Sequence, residues 1–121
     1  MKKQLGKVSG VRLGMEDHGI FTCDITIDFG GTGQGFGGYR LDTYNKVTKK
    51  CEGSAAGLDW IMRLMACFGV SNFDHIEGRT VYAIRKEEYG NIVGLETPSF
   101  DPGTPFLIAD WQERWNIKEG G

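Results

Sequence analysis

The residue types best suited to chemistry crowd into one stretch, Gly30–Arg40, with the sequence GGTGQGFGGYR. Six of the nine residues from Gly30 to Gly38 are glycine, and a chain gives up the most backbone entropy at glycine. Backbone N–H groups bared by such a run can line a nest for an anion. Gly33, Gln34, Gly35 and Gly37 would supply that backbone. Arg40 would add a planar, charge-assisted contact to a phosphate, and Phe36 and Tyr39 offer aromatic faces to a base. Asp17 and His18, beside Gly19, join them as candidate ligand-binding residues, although two polar residues before a glycine equally suit a tight turn.

The run Gly33–Gly38 formally spells G-x-G-x-x-G. The dinucleotide version of that motif needs a helix next and a second parallel strand after it, and Tyr39-Arg40-Leu41-Asp42 does not open a helix. The kinase version sits between two strands, but the chain has no HRD or DFG signature, and no G-K-[ST] makes a P-loop. The physics of the nest is therefore kept and the formal motifs are set aside. Asp24 and Asp28 on a wet strand face would repel phosphate. A phosphate is expected near the turn or across a subunit boundary, where Arg40, Arg63, Arg79 or Arg85 can arrive. No serine lies in G-x-S-x-G, and no Cys–His pair is placed for nucleophilic chemistry, so no catalytic residue is assigned and the protein is read as non-enzymatic. Asp24 and Asp28 could hold a hard cation, but two carboxylates on a wet strand are normally solvated. No metal site and no cofactor are assigned.

These residues need a sheet to position them. Phe21, Cys23, Ile25, Ile27 and Phe29 alternate with Thr22, Asp24, Thr26 and Asp28, the period of a strand with one buried face. Ile20–Phe29 is thus predicted as a strand and Gln34–Leu41 as its glycine-rich return. With Gly31-Thr32 at the centre of the turn, Phe29 faces Gln34, Ile27 faces Phe36, Ile25 faces Gly38 and Cys23 faces Arg40. Asp28, Thr26 and Asp24 then lie against Gly35, Gly37 and Tyr39, making a shelf with a bare-backbone floor. Val8–Met15 is a first strand and Asp42–Gly53, with Lys46, Lys49 and Lys50, an exposed loop. Ser54–Phe68 is a helix capped by Ser54 and stopped by Gly69, with Leu58, Ile61, Met62, Met65 and Phe68 at helical spacing and Trp60, Met62 and Met65 read as core. Ser71–Glu77 is a short helical turn. Thr80–Lys86 and Ile92–Glu96 form a second hairpin around Tyr89-Gly90-Asn91, and Thr97–Gly103 is an irregular connector. Thr104-Pro105 reads as the start signal of a helix over Phe106–Trp115, and Lys118–Gly121 as a loose tail. The expected fold is a single α+β domain over residues 1–121: a mostly antiparallel sheet of about five strands packed by one main helix, with a short C-terminal helix.

Bulk properties narrow the classes. The 121 residues suit one domain, and a net charge of −2 argues against general nucleic-acid binding, which favours a basic face. Three cysteines without CxxC spacing read as reduced thiols in the cytoplasm. No apolar run reaches the roughly 20 residues of a membrane helix, and MKKQLGKVSG carries charge without the apolar core of a signal peptide.

The segment Leu13-Gly-Met-Glu-Asp-His-Gly-Ile-Phe-Thr, followed by Gly30-Gly-Thr-Gly-Gln-Gly-Phe-Gly-Gly-Tyr39, resembles a group of small proteins encoded by bacteriophages and prophages. In these, E-D-H-G-I, G-G-x-G-Q-G-F-G-G-Y and an amphipathic helix come in the same order. The resemblance spans Leu13 to Gly78 and carries over motifs rather than catalytic residues. A phage origin implies the cytoplasm of the host cell and a role against host defence. The expectation is a homo-oligomeric sponge that binds a nucleotide-derived immune signal without catalysis, resembling the Thoeris and CBASS anti-defence proteins in strategy. The alternative is a protein-directed inhibitor of a host defence complex, anti-CRISPR-like, using the acidic strand face as a mimic. An enzyme that degrades the nucleotide is the third.

Overall fold

Strand β1, Lys2–Met15, is 14 residues long, and the main sheet is arranged along its two flanks. From Lys2 to Lys7 it pairs with β6, Thr80–Arg85; from Lys7 to Met15 it pairs with β2, Phe21–Asp28. At Lys7 it faces both Asp28 and Thr80. With β3 (Gly33–Arg40), β7 (Ile92–Glu96) and β8 (Phe106–Leu107), these strands form a six-stranded antiparallel sheet in the order β3-β2-β1-β6-β7-β8. The structure, a computed structural model, describes residues 1–16, 19–88, 90–98 and 104–117. Asp17, His18, the turn residue Tyr89, residues 99–103 of the expected connector and the expected tail 118–121 lie outside them.

The α+β class holds, with one main helix, α1 (Ala55–Phe68), and a short C-terminal one, α2 (Ile108–Arg114). The sheet is larger than expected. β1 starts at Lys2 rather than Val8, because pairing with β6 extends a stretch whose own sequence lacks apolar alternation. The expected loop over 42–53 is a second, two-stranded sheet, β4 (Asp42–Asn45) with β5 (Lys50–Gly53). Its turn is closed by Asn45, whose Oδ1 accepts the N–H groups of Val47 and Thr48 at 2.9 and 3.1 Å.

The glycine-rich hairpin forms with a different register. Asp28 faces Gly33, Ile27 faces Gln34 and Ile25 faces Phe36, a slip of two residues that keeps the side chains up to Gly37 on their expected faces. Gly30 (φ 87°) and Gly31 (φ 109°), not Gly31-Thr32, are therefore the central pair, and the Phe29 N–H donates to the Thr32 carbonyl at 2.8 Å. A turn with positive φ at both central residues, as in type I′, is one that a β-branched threonine resists. A bulge then intervenes: Asp24 faces Gly37 but Thr22 faces Arg40. A Cβ on Gly37 would sit 2.4 Å from the Cys23 carbonyl oxygen, so only glycine fits this close approach. The extra residue turns Tyr39 away from the wet shelf, where the sequence reading put it, and onto the core.

Helix α1 begins as expected. Ser54 accepts from the Gly57 N–H at 2.9 Å and donates to the Leu41 carbonyl at 2.7 Å, and Gly69 closes the helix at φ 65°. Its buried face is Gly57, Trp60, Leu64, Cys67 and Phe68. Met62 and Leu58, expected to belong to the apolar stripe on the sheet, are instead 59% and 61% exposed. Trp60 is the centre of the core. Its ring lies 5.5 Å from Phe36, 5.4 Å from Tyr39, 4.6 Å from Phe106 and 5.0 Å from Trp111. Phe36 belongs to one end strand and Phe106 to the other, and their centroids are 5.7 Å apart. The sheet thus curls until its two ends share one aromatic cluster. The Thr104-Pro105 start signal is overridden, because Phe106–Leu107 first adds a strand against Gly94 and Leu95 and α2 begins at Ile108. Trp111 and Trp115 tie α2 to α1 through Nε1–H donors to the Ala56 carbonyl and Asp59 Oδ2, both at 2.8 Å.

Candidate functional site

Gly6 on β1 is where the site begins. A Cβ there would stand 2.6 Å from Ile27 and 2.8 Å from the Phe29 ring. Its absence lets Phe29, the residue that leaves β2 for the turn, lie down over β1. The Phe29 ring in turn carries the Arg85 guanidinium, whose carbon is 5.0 Å from the ring centroid, within cation–π range.

Arg85 ends β6 in the same inward-facing row as Val81 and Ala83, and it is only 6% exposed. Nε donates to the Gly90 carbonyl at 3.1 Å, and the two terminal nitrogens donate to Oε1 of Gln4 and Oε1 of Gln34, each at 2.6 Å. All three acceptors are neutral. Among the described residues no carboxylate comes within ion-pair distance of Arg85. A buried cation is normally paired, so this one stands without its counter-charge. It opens onto a pocket of about 570 Å³ at the turn end of the hairpin, walled by Lys2, Lys3, Thr32, Gly33 and Glu88 besides Gln4, Phe29 and Gln34. That volume falls in the roughly 300–1,000 Å³ range of small-molecule sites. Among the described residues three cations and one acid line it, Lys3 being engaged by Glu96 at 2.5 Å.

The structure separates the residues that the sequence grouped. Gly33 and Gln34 line the Arg85 pocket. Gln34, Gly35, Phe36, Gly37 and Tyr39 border a second cleft of about 220 Å³ with Asn91, Ile92 and Ile108. Phe36 is buried and Tyr39 packs on Trp60 and Trp111, so both rings belong to the core rather than to a base-stacking surface. Arg40 lies at the far end of β3, donating to Asp42 Oδ1 at 2.8 Å and to the Cys51 sulfur at 3.4 Å. Burial pushes the Asp42 carboxyl up, but hydrogen bonds from Arg40 and the Phe21 N–H, with the Arg40 charge, outweigh it and hold it below the ordinary carboxylate range. Of the four arginines considered for the turn, Arg63 is held by Asp59 and Arg79 donates to the His75 carbonyl; Arg85 is the one that reaches it.

The acidic shelf is also different in balance. Asp24, Thr26 and Asp28 lie beside Gly37, Gly35 and Gly33 as a bare floor, but β1 sets Arg12 opposite Asp24 and Lys7 opposite Asp28. Arg12 approaches Asp24 to 3.6 Å. The shelf faces away from Arg85 and carries its own cations. Two of the thiols are poor nucleophiles: burial, then the Asp24 charge, pushes Cys23 up to about 12, and burial pushes Cys67 up to about 11. Among the described residues no three His, Cys, Asp or Glu side chains cluster as metal ligands, and no helix is long and apolar enough to cross a membrane.

Phe29, Gln4, Lys2 and Lys3 escaped the sequence reading. The signal that could have found them is Gly6: a glycine inside a strand marks a close approach, but only once Lys2–Lys7 is recognised as strand. The chain matches no protein-family model, and no curated protein or solved structure matches it.

Proposed function

We propose that this chain is a non-catalytic binding protein that captures a nucleotide-derived anion in the Arg85 pocket, and that it serves a phage by sequestering a host immune signal as a homo-oligomer in the host cytoplasm. One observation carries the binding reading: a buried guanidinium, held by three neutral oxygens and open to a cation-lined pocket, has no counter-charge among the described residues. The resemblance to phage proteins supplies the setting. Titration calorimetry with a panel of cyclic and ADP-ribose nucleotides tests it. At least one should bind, be released intact on denaturation, and bind about tenfold or more weakly to Arg85→Ala, given the worth of a hydrogen bond to a charged group. Absence of binding across the panel defeats the reading, and release of a cleaved product replaces the sponge by an enzyme.

A second reading, an inhibitor directed at a host defence protein, rests on a different surface. Leu13, Met15, Leu58 and Met62 are 43–61% exposed, and Met15 and Leu58 border an apolar groove of about 340 Å³ with Phe21, Leu41 and Ile61. Exposed apolar patches of this kind favour protein docking, whereas the charge-balanced strand face does not favour acidic mimicry. Capture of a stoichiometric host protein, with no small molecule retained, would select this reading.

A further inference from the structure

We infer that the pocket grips its ligand by a phosphoryl group and leaves the base unread. The inference rests on the binding reading above and narrows it to a ligand class: phosphate monoesters and diphosphates, irrespective of the nucleoside attached.

The argument starts from the chemistry of the guanidinium. It has five N–H donors and no acceptor. Whatever meets it must present oxygen, so Gln4 and Gln34 have to turn Oε1 towards Arg85, as they do at 2.6 Å. That fixes the amide orientation of both glutamines, and their NH₂ groups are the ends left over. Arg85 itself spends three N–H groups on Gly90, Gln4 and Gln34. Two remain, one on each terminal nitrogen, a pair suited to two oxygens of one oxyanion. Lys2, directly opposite Arg85 across β1 and β6, adds an ammonium group, which also only donates, whereas the Lys3 ammonium is taken by Glu96. The inner pocket is therefore a field of donors.

Such a field discriminates. A nucleobase edge carries donors and acceptors together, so its own N–H groups would find no free acceptor on Arg85, Gln4, Gln34 or Lys2 and only Glu88 and the Thr32 hydroxyl at the wall. A phosphoryl group offers only acceptors, in a tetrahedral array that can take donors from several sides. Stacking does not rescue base recognition. The Phe29 ring is covered by Arg85, Phe36 is buried, and the half-buried Tyr39 packs on Trp60 and Trp111, outside this pocket. Glu88, the one carboxylate on the wall, sets a limit on how much negative charge can enter and disfavours ligands that approach from its side.

Gln34 provides the sharpest test, because the change to glutamate keeps its shape. Gln34→Glu would give Arg85 an internal carboxylate in the place of a neutral oxygen. The anion would then be unnecessary and repelled, while the fold keeps a partner for its buried cation. Titration calorimetry at fixed ionic strength with ADP, GDP, inorganic pyrophosphate, malonate and adenosine gives the readout. ADP, GDP and pyrophosphate are expected to bind within about tenfold of one another, pyrophosphate to displace ADP, malonate to bind at least about tenfold more weakly, and adenosine to give no heat. Gln34→Glu is expected to weaken pyrophosphate by about tenfold or more with an unchanged or raised melting temperature. Adenosine binding as tightly as ADP, or malonate as tightly as pyrophosphate, overturns the phosphoryl assignment and leaves capture itself standing. Unaltered pyrophosphate binding by Gln34→Glu overturns the role of Arg85. Silence with every probe overturns the phosphoryl assignment, and the panel of cyclic and ADP-ribose nucleotides then decides the reading beneath it.

Discussion

At the residue scale, glycines in this chain do different work, and the difference is measurable. Gly57 in the first turn of α1 lies against the Leu41 backbone: a Cβ would fall 1.9 Å from its carbonyl oxygen. Gly57→Ala must push the helix off the strand and is expected to cost at least about 3 kcal/mol, the upper end for overpacking. Gly14→Ala meets nothing within 4 Å and should stay within about 0.5 kcal/mol of the parent. Urea unfolding of the two variants checks the contrast, and equal midpoints would show that α1 can shift freely. The same reasoning explains what could be read beforehand. The alternation from Phe21 to Phe29 and the glycines after it announce a hairpin. They do not reveal which two glycines centre the turn, nor that Gly37 meets the Cys23 carbonyl, because both depend on the partner strand. Hence Phe36 could be placed on the core face from sequence, while Tyr39, one bulge later, could not.

At the scale of elements, the two helices are joined by a small polar knot. Asp59 Oδ2 accepts from Trp115 Nε1 at 2.8 Å and from Arg63 Nε at 2.6 Å. Partial burial pushes the Asp59 carboxyl up, but these donors and the nearby Arg63 and Arg114 charges outweigh it, and the group is held below the ordinary carboxylate range. A depressed folded value means a stabilising contribution that is complete above the unfolded value, about 3.9, and lost as the pH falls through the folded one. Below about pH 4 the docking of α2 should loosen, seen as a change in tryptophan emission, and Asp59→Asn should flatten that change and narrow the gap in melting temperature between pH 6 and pH 3. An unchanged profile in Asp59→Asn would assign the acid sensitivity elsewhere. Elements with their own local signal were legible: the Ser54 cap, the Gly69 stop, and the strand from Ile92 to Glu96. The N-terminal half of β1 and the β4–β5 hairpin were not, because their pairing comes from neighbours and a turn rather than from apolar alternation. The face of α1 was misjudged for a related reason. Leu58 and Met62 have the right spacing for a stripe, but Trp60 and Leu64 fill the sheet.

For the whole molecule, the decisive contact is Trp60 at the meeting point of the two sheet ends. Removing its ring leaves Phe36, Phe106 and Trp111 without their common neighbour. Trp60→Ala is expected to cost about 3–5 kcal/mol, and Met62→Lys, two positions away on the exposed side, to stay within about 0.5 kcal/mol. Chemical unfolding followed by circular dichroism measures both, and a mild Trp60→Ala would show that the sheet holds its curl unaided. The α+β class, with one main helix and a short C-terminal one, could be read from element order alone. The curl could not, since it brings together residues from opposite ends of the sheet that no local pattern links.

β1 has one further consequence. Its first residues wall the cation-lined pocket, and its last residue, Met15, borders the apolar groove. The same places are bordered by Phe29 and Phe21, and the eight residues of β2 put them on the order of 25 Å apart. Occupancy at one end therefore leaves the other sterically open. A phosphoryl ligand and a docked protein should titrate non-competitively, so a single copy has room to hold both at once.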